Sequence, residues 1–489
     1  MLLANTSIRR AGRLPRPGNA GRAILLLRYF ASSLSASMRV MDVQGAGQSA
    51  KLQEVSAPLP KLGPDDVLIK VHAAGVNRPD LLQKRGLYPA PPGSSPYLGL
   101  EVAGEVAAVG PAVAKGRPGL ALGRRVMALT NGGGYAQYVA VPYAQLMATP
   151  MSMGDVAAAA AMETLLTTWY NVIQLGGLQR GSALLVHGAT GGIGSMALRL
   201  GAAAGARAVI GTAGSAHKAQ LGTHLGAHIA IDYSTAEFDQ VLTSDSPVRE
   251  FVRGKISHQA LYDAAGSVSG GGPVQLQRGV WIAPPRDAEE GGPRGAAFGK
   301  ELSVAHRGSS ALWEGLGPHS GGVGPDAGLP GTPSRDGCNV VLDVVGGSYL
   351  PRNMSVLGTA GRHVSIAFQQ GSKVPPNMDF MRVMLKRLVL TGSTLRSRSP
   401  HFKGSLVQHI AVAVQRHQLL HSVSNTVASD ANVALGAVTP GASSDQWRDA
   451  APLAPFVGGV NALERAEDAH SALEEGAPGK QVLTVSHDE

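Results

Sequence analysis

The stretch that most constrains the fold runs from Leu184 to Lys218 and reads "LLVHGATGGIGSMALRLGAAAGARAVIGTAGSAHK". "SALLVHG" is an unbroken apolar run of strand length. "GIGSMALRLGAAAG" is a helix of small residues, and "ARAVIGT" is a second apolar run. Strand, glycine turn, helix and strand in that order make a βαβ unit, which demands a parallel sheet. Ala189, Gly191 and Gly194 take the three fingerprint positions of a dinucleotide-binding turn, with Thr190, Gly192 and Ile193 between them. Glycines there let backbone N–H groups approach a pyrophosphate, and the helix N-terminus adds partial positive charge. The same residues would also serve a plain tight turn. The strand before and the helix after point to the dinucleotide site.

A site for NAD ordinarily carries an acid about 20 residues further on, to bind the ribose 2′-hydroxyl. From Gly194 to Ile231 this chain has no Asp or Glu. The second strand ends instead in "GTAGSAHK", where Ser215 can donate to a phosphate oxygen and Lys218 brings a positive charge. This favours NADPH as cofactor. A lysine on a helix face is more often merely solvated, so the missing acid is the stronger half of the argument.

Before this unit, "DDVLIKVHAAGVN", "LGLEVAGEVAAVG" and "GGYAQYVAVP" are short β-branched runs punctuated by Gly and Pro, a mostly antiparallel β region reaching about residue 150. "MGDVAAAAAMETLLTTWYNVI" reads as helix. "IAIDY", "NVVLDVVGG", "GRHVSIAF" and "LVLTGSTL" supply further buried strands; "ALERAEDAHSALEEG" and "KQVLTV" a last helix and strand. The predicted fold class is therefore α/β, a β domain joined to a doubly wound parallel sheet. Two regions, 256–337 and about 422–453, are rich in Gly and Pro without periodicity and read as disordered inserts.

The net charge of +9 is concentrated: Arg9, Arg10, Arg13, Arg16, Arg22 and Arg28 lie in residues 1–37, which hold no acid, leaving +3 for the rest. That argues against a nucleic-acid surface. The leader has the composition of an organellar transit peptide, with "RYFASS" resembling a mitochondrial processing site cut after Phe30. A mitochondrial matrix address is the expectation, chloroplast or cytoplasm the alternatives. With Cys338 as the single cysteine, neither an intramolecular disulfide nor a thiolate metal cluster can form. No stretch is long and apolar enough to span a bilayer.

The stretches "AAGVNRPDLLQKRGLYPAPPG", "LGLEVAGEVAAVG", "GGGYAQYVAVP", "HGATGGIG", "TAGSAHK", "LGAHIAIDY", "LDVVGGSYL" and "STLRSRS" together resemble the zinc-free quinone oxidoreductases of the medium-chain dehydrogenase/reductase superfamily. The likeness covers residues 38–255 and 338–489 apart from the second insert, and is nearest to the p53-inducible quinone oxidoreductase branch. It implies a GroES-like catalytic domain (38–164, resuming at 395–489) and a Rossmann NADP-binding domain (165–394). It also implies NADPH-dependent reduction of quinones without metal, by a homodimer or homotetramer.

The resemblance puts Asn77 and Tyr88 at the nicotinamide and substrate, and Thr167 on the cofactor. Lys218 and Tyr233 would hold the 2′-phosphate, and Gly346, Gly347 and Phe368 would lie by the nicotinamide. Arg396 and Arg398 would lie at the cofactor edge. Leu100 stands where zinc members have the His of Gly-His-Glu. A quinone accepts electrons readily, so the protein's task is to orient the reactants and exclude water. Alternatives are an NADPH-dependent reductase of activated C=C bonds, an enone or a 2-enoyl thioester, and a non-catalytic NADPH-binding relative. Met162 replaces the usual Pro, and Arg124 the usual Asp.

Overall fold

The computed structural model describes residues 37–117, 120–267, 272–285, 333–417, 453 and 455–487. The leader, the bulk of the first predicted insert and all but Leu453 of the second lie outside the described residues.

A hairpin of β1 (Ser37–Gln44) and β2 (Lys51–Pro58) precedes the first sheet. That sheet comprises β3 (Asp66–Val76), β4 (Glu101–Val109), β5 (Arg125–Leu129), β6 (Tyr138–Pro142) and β7 (Leu146–Ala148). Much later in the chain β16 (Val457–Ala462) and β17 (Lys480–Thr484) return to it, β17 pairing antiparallel with β3. The alternation predicted for "DDVLIKVHAAGVN" is blurred in β3, because Val67, Leu68 and Ile69 are all buried. The strand lies between β4, β6 and β17 and is covered on both faces.

The second sheet has β8 (Ala183–His187), β9 (Ala208–Ala213), β10 (Ile229–Asp232), β11 (Val274–Gln277), β12 (Val280–Ile282), β13 (Cys338–Asp343), β14 (Leu357–Ser365) and β15 (Val389–Gly392). Its order is β11-β12-β10-β9-β8-β13-β14-β15, and the six strands from β10 to β15 are parallel. This is the doubly wound arrangement, whose ligands lie beyond the carboxyl ends of the central strands. Every side chain of β8 is buried, as strands covered on both faces require.

The predicted insert at 256–337 is narrower than its composition suggested. Helix His258–Ala264 is ordered, and "VQLQRGVWI" is a β-hairpin turning at Gly279, whose φ of +77° a side chain would resist. Val280 and Ile282 are fully buried against β10, so the hairpin caps an otherwise open sheet edge. Two strands of three or four residues fall below what periodicity can register. Among the described residues no helix is long and apolar enough to cross a membrane.

Candidate functional site

The glycine turn joins β8 to helix Gly192–Ala203. Ala189 at the first fingerprint position packs its methyl where a Cβ on Gly211 would come within 2.8 Å, so β9 yields space to the turn. Gly194 lies against the backbone: a Cβ there would sit 2.1 Å from the Gly188 carbonyl oxygen. Gly191 differs, because its Cβ would meet only that oxygen, at 3.5 Å. The helix has no side-chain cap and no acid in its first turn. Its N-terminal N–H groups and dipole are therefore left for an anion, which fits a pyrophosphate. Thr190 is tied from the other side: its carbonyl accepts from Gly479 N–H at 2.7 Å.

At the end of β9, Ser215 caps helix Ala216–His224 by accepting from the Lys218 N–H at 3.3 Å. The Lys218 ammonium donates to the Gly476 carbonyl at 2.7 Å and keeps two further protons for a ligand. Tyr233 is 43% exposed, with its hydroxyl beside Gly214. The structure thus sets Ser215 and the Tyr233 hydroxyl about Gly214, while the Lys218 ammonium reaches to Gly476. The nearest acid on the neighbouring strand, Asp232, is buried and occupied by Ser234.

A charged cluster that the sequence did not announce joins β3, β4 and β17. Lys480 is 4% exposed and pairs with Glu101 at 2.5 Å. It also donates to the Val76 carbonyl at 3.1 Å and to the Asn77 Oδ1. Asn77, expected at the substrate, has its amide committed here: it donates to Glu101 at 3.1 Å and to the Gly75 carbonyl at 3.3 Å. Its backbone N–H meets Asp80 at 2.8 Å, so it also starts helix Arg78–Lys84. Glu101 accepts a third bond from the Glu163 N–H at 2.9 Å. Glu163 in turn accepts from the Thr167 hydroxyl at 2.7 Å, which is where the structure places Thr167.

Burial raises Asp80 to about 6 and Glu163 to about 7, Lys480 opposing both shifts. Folding therefore favours their protonated forms. Their contribution to stability is complete below the unfolded carboxylate range and is lost as pH rises through about 6 to 7. Glu163→Gln should accordingly flatten that part of the pH profile and be as stable as wild type, or more so, at pH about 8. Urea unfolding at both ends of the window checks this; an equal loss at each end would contradict it.

Beyond β13, Asp343 accepts from the N–H groups of Val345 at 2.7 Å and Gly346 at 3.2 Å. Burial pushes this carboxyl up, but the hydrogen bond from His363, the neighbouring His187 and His363 rings and the Val345 N–H together outweigh it and hold Asp343 below the usual carboxylate range. Gly346 has φ +116°, and a Cβ on it would strike the Gly371 carbonyl at 2.3 Å. Gly347 donates to that same carbonyl at 2.9 Å, and Phe368, 54% exposed, stands beside Gly346.

After β15, the Arg396 guanidinium lies 5.4 Å over the ring of Tyr88 and donates to Gln83 at 2.5 Å. Arg398, expected beside it, turns to Tyr170, bonding its hydroxyl at 3.1 Å and lying over the rings of Tyr170 and Phe402. Lys403 is 1% exposed and donates to Asn131 at 2.6 Å and to the Arg396 carbonyl at 2.8 Å; burial brings it down to about 8. Lys480, Asp343 and Lys403 are the residues that sequence reasoning missed. Each is a polar residue in a stretch whose only visible pattern is structural.

Residues 63–151, in the first sheet, match the alcohol dehydrogenase GroES-like domain. With the doubly wound sheet this defines the class of fold, a GroES-like domain joined to a Rossmann-like α/β domain. It is 35% identical over 212 residues to the rat synaptic vesicle membrane protein VAT-1 homolog, covering 43% of this chain and 51% of that one. It is 34% identical over 185 residues to the Mycobacterium bovis phthioceranic/hydroxyphthioceranic acid synthase, covering 38% of this chain and 8% of that one. The chain thus spans about half the length of the first of these relatives and a small part of the second.

Two solved structures share the fold. A mycobacterial protein complexed with NADPH superposes with a TM-score of 0.56 at 21% identity, over 92% of this chain and 99% of that one. A Pseudomonas syringae quinone oxidoreductase superposes with a TM-score of 0.55 at 21% identity, over the same shares.

Proposed function

We propose that the protein is an NADPH-dependent, metal-independent quinone reductase of the kind found in the p53-inducible quinone oxidoreductase branch. The observation that carries the reading is the end of β9, where Ser215 and Tyr233 flank Gly214, Lys218 follows in the next helix, residues 194–231 hold no acid and Asp232 is buried. NADPH, when bound, supplies the hydride. The uncapped helix Gly192–Ala203 receives its pyrophosphate, and Lys218 with Tyr233 receives its 2′-phosphate. Gly346, Gly347 and Phe368 form the wall at the nicotinamide end, held by Asp343. Asn77 acts through the cleft floor, where its amide is locked by Lys480 and Glu101. Tyr88 offers a flat face to a planar acceptor. That one structural neighbour is complexed with NADPH and the other is a quinone oxidoreductase supports this reading.

The test follows NADPH and NADH oxidation with a small para-quinone. NADPH should be preferred, and Lys218→Ala should raise the KM for NADPH by about 10–100-fold, the worth of a charged hydrogen bond, with little effect on NADH. Preference for NADH would overturn the cofactor assignment. The stretch shared with the phthioceranic/hydroxyphthioceranic acid synthase favours a second reading, reduction of a conjugated C=C bond. Turnover of an enone in place of the quinone would select it. The arginine-rich leader supports a mitochondrial address, checked by the N-terminus of the protein recovered from cells.

A further inference from the structure

A file of polar side chains crosses the core at the carboxyl end of the nucleotide sheet. Thr212 lies near the end of β9, His187 ends β8, Asp343 ends β13 and His363 lies in β14, and these four strands are neighbours. Asn353 joins them from helix Leu350–Val356. All five residues are 3% exposed or less. The His187 ring bonds the Thr212 hydroxyl through Nδ1 at 3.0 Å and the Asn353 Oδ1 through Nε2 at 2.7 Å. The Asn353 Nδ2 donates to Asp343 Oδ2 at 3.3 Å, and the His363 Nε2 meets the same oxygen at 3.1 Å. Asp343 Oδ1 is the atom that takes the Val345 and Gly346 N–H groups.

Chemistry gives these bonds one direction. Asp343 is held ionised, so it must receive from the amide nitrogen of Asn353. That turns the Asn353 carbonyl to His187, which must then donate from Nε2 and accept the Thr212 proton at Nδ1. Burial outweighs the pull of Asp343 and brings the His187 ring down to about 4, so it is neutral, as one donor and one acceptor require. The rings of Phe238 and Tyr349 meet it edge-on at 4.8 and 5.0 Å and fix its plane. Both ends of the file bear on loops assigned to the cofactor. The Thr212 carbonyl accepts from the Ala189 N–H at 2.9 Å, in the glycine turn that begins directly after His187. Asp343 fastens the segment Val345–Gly347. A core built for stability alone gains little from imidazoles and an amide, whose desolvation has to be offset bond by bond.

We propose that His187 is a positioning residue for the nicotinamide: through Asn353 and Asp343 it holds the Val345–Gly347 segment in register with the glycine turn, without touching the cofactor itself. This rests on the cofactor reading above. Two variants separate the two nitrogens of the ring. In His187→Gln the side-chain amide reaches the place of Nε2 and can donate to Asn353, whereas in His187→Asn it stops at the place of Nδ1.

Binding of NADPH is compared with binding of adenosine 2′,5′-bisphosphate, which has the 2′-phosphate and no nicotinamide, on the full chain of each variant. His187→Asn should weaken NADPH about tenfold, the effect of one lost hydrogen bond, and leave the bisphosphate unchanged. His187→Gln should recover most of the NADPH affinity. Thr212→Val removes only the hydroxyl that sets the tautomer and should give a smaller loss of the same kind, which keeps the test open if His187→Asn does not fold. Hydrogen exchange, read without cofactor, should show the Val345 and Gly346 amides opening faster in His187→Asn or, failing that, in Thr212→Val. Equal weakening of both ligands overturns the inference, because it would make His187 a structural residue only. Wild-type NADPH affinity in His187→Asn overturns it too, as do Val345 and Gly346 amides that exchange no faster than before. These failures leave the cofactor reading standing; a wild type that binds neither ligand would refute that reading and this inference with it.

Discussion

Replacing Lys480 with Met should destabilise the protein by about 3–5 kcal/mol, the cost of removing one member of a buried ion pair. Lys480 spends its three protons on Glu101, Asn77 and the Val76 carbonyl, and both charged partners are out of solvent. Without it, the Glu101 carboxylate keeps only the Asn77 amide and the Glu163 N–H as donors. Adding Glu101→Gln should return a large part of the loss, because a neutral amide no longer demands a countercharge. Urea unfolding of the two single variants and the double variant measures this. Additive losses would mean that the pair is not coupled. Activity should fall in Lys480→Met even where the chain stays folded, since Asn77 loses the partner that orients its amide.

The second large effect separates two glycines that the fingerprint treats alike. Gly194→Ala should lower both stability and NADPH affinity. Its methyl would press on the Gly188 carbonyl at 2.1 Å and on the Ala189 backbone at 2.9 Å, and backbone cannot rotate away as a side chain can. Overpacking of this kind costs about 1–3 kcal/mol. Gly191→Ala meets no protein atom closer than 3.5 Å and has φ −73°, so the protein itself tolerates a methyl there. If Gly191 is kept free for a pyrophosphate, Gly191→Ala should leave the unfolding midpoint in place and weaken NADPH about tenfold or more. Thermal unfolding with and without NADPH distinguishes the two variants. A Gly191→Ala protein that binds NADPH normally would contradict the phosphate assignment of the turn.

The nucleotide half was legible because its signals are local. The βαβ rhythm, the turn glycines and the missing acid after β9 all fall within about fifty residues, and the structure puts the strands, turn and helices where the pattern says. The cleft was legible only in part. Tyr88 and Arg396 do meet, but nothing near Arg398 in the chain announces that its side chain goes to Tyr170, 228 residues away. Asn77 reads as a substrate contact in "GVNRPD", yet its amide is taken by Lys480 across 403 residues of chain. Lys480 itself opens "KQVLTV", an unremarkable strand on its own terms. Burial of a charge is a property of three-dimensional neighbours, so periodicity cannot report it. The hairpin of β11 and β12 was hidden for another reason: its edge position and short strands leave few residues to carry a pattern.

The late return of β17 also sets an order for biosynthesis. A ribosome-bound chain that has emerged to residue 394 already holds all eight strands of the nucleotide sheet. That half can close before synthesis ends. The cleft domain at that moment has β3 with an unpaired edge where β17 belongs, and Glu101 without its lysine. Translation at about 5–20 residues per second leaves the edge bare for tens of seconds after β6 has emerged. For that interval the nascent cleft domain presents a ready template for strand addition by another chain. Holding it apart until residue 480 arrives is work suited to a chaperone at the tunnel exit.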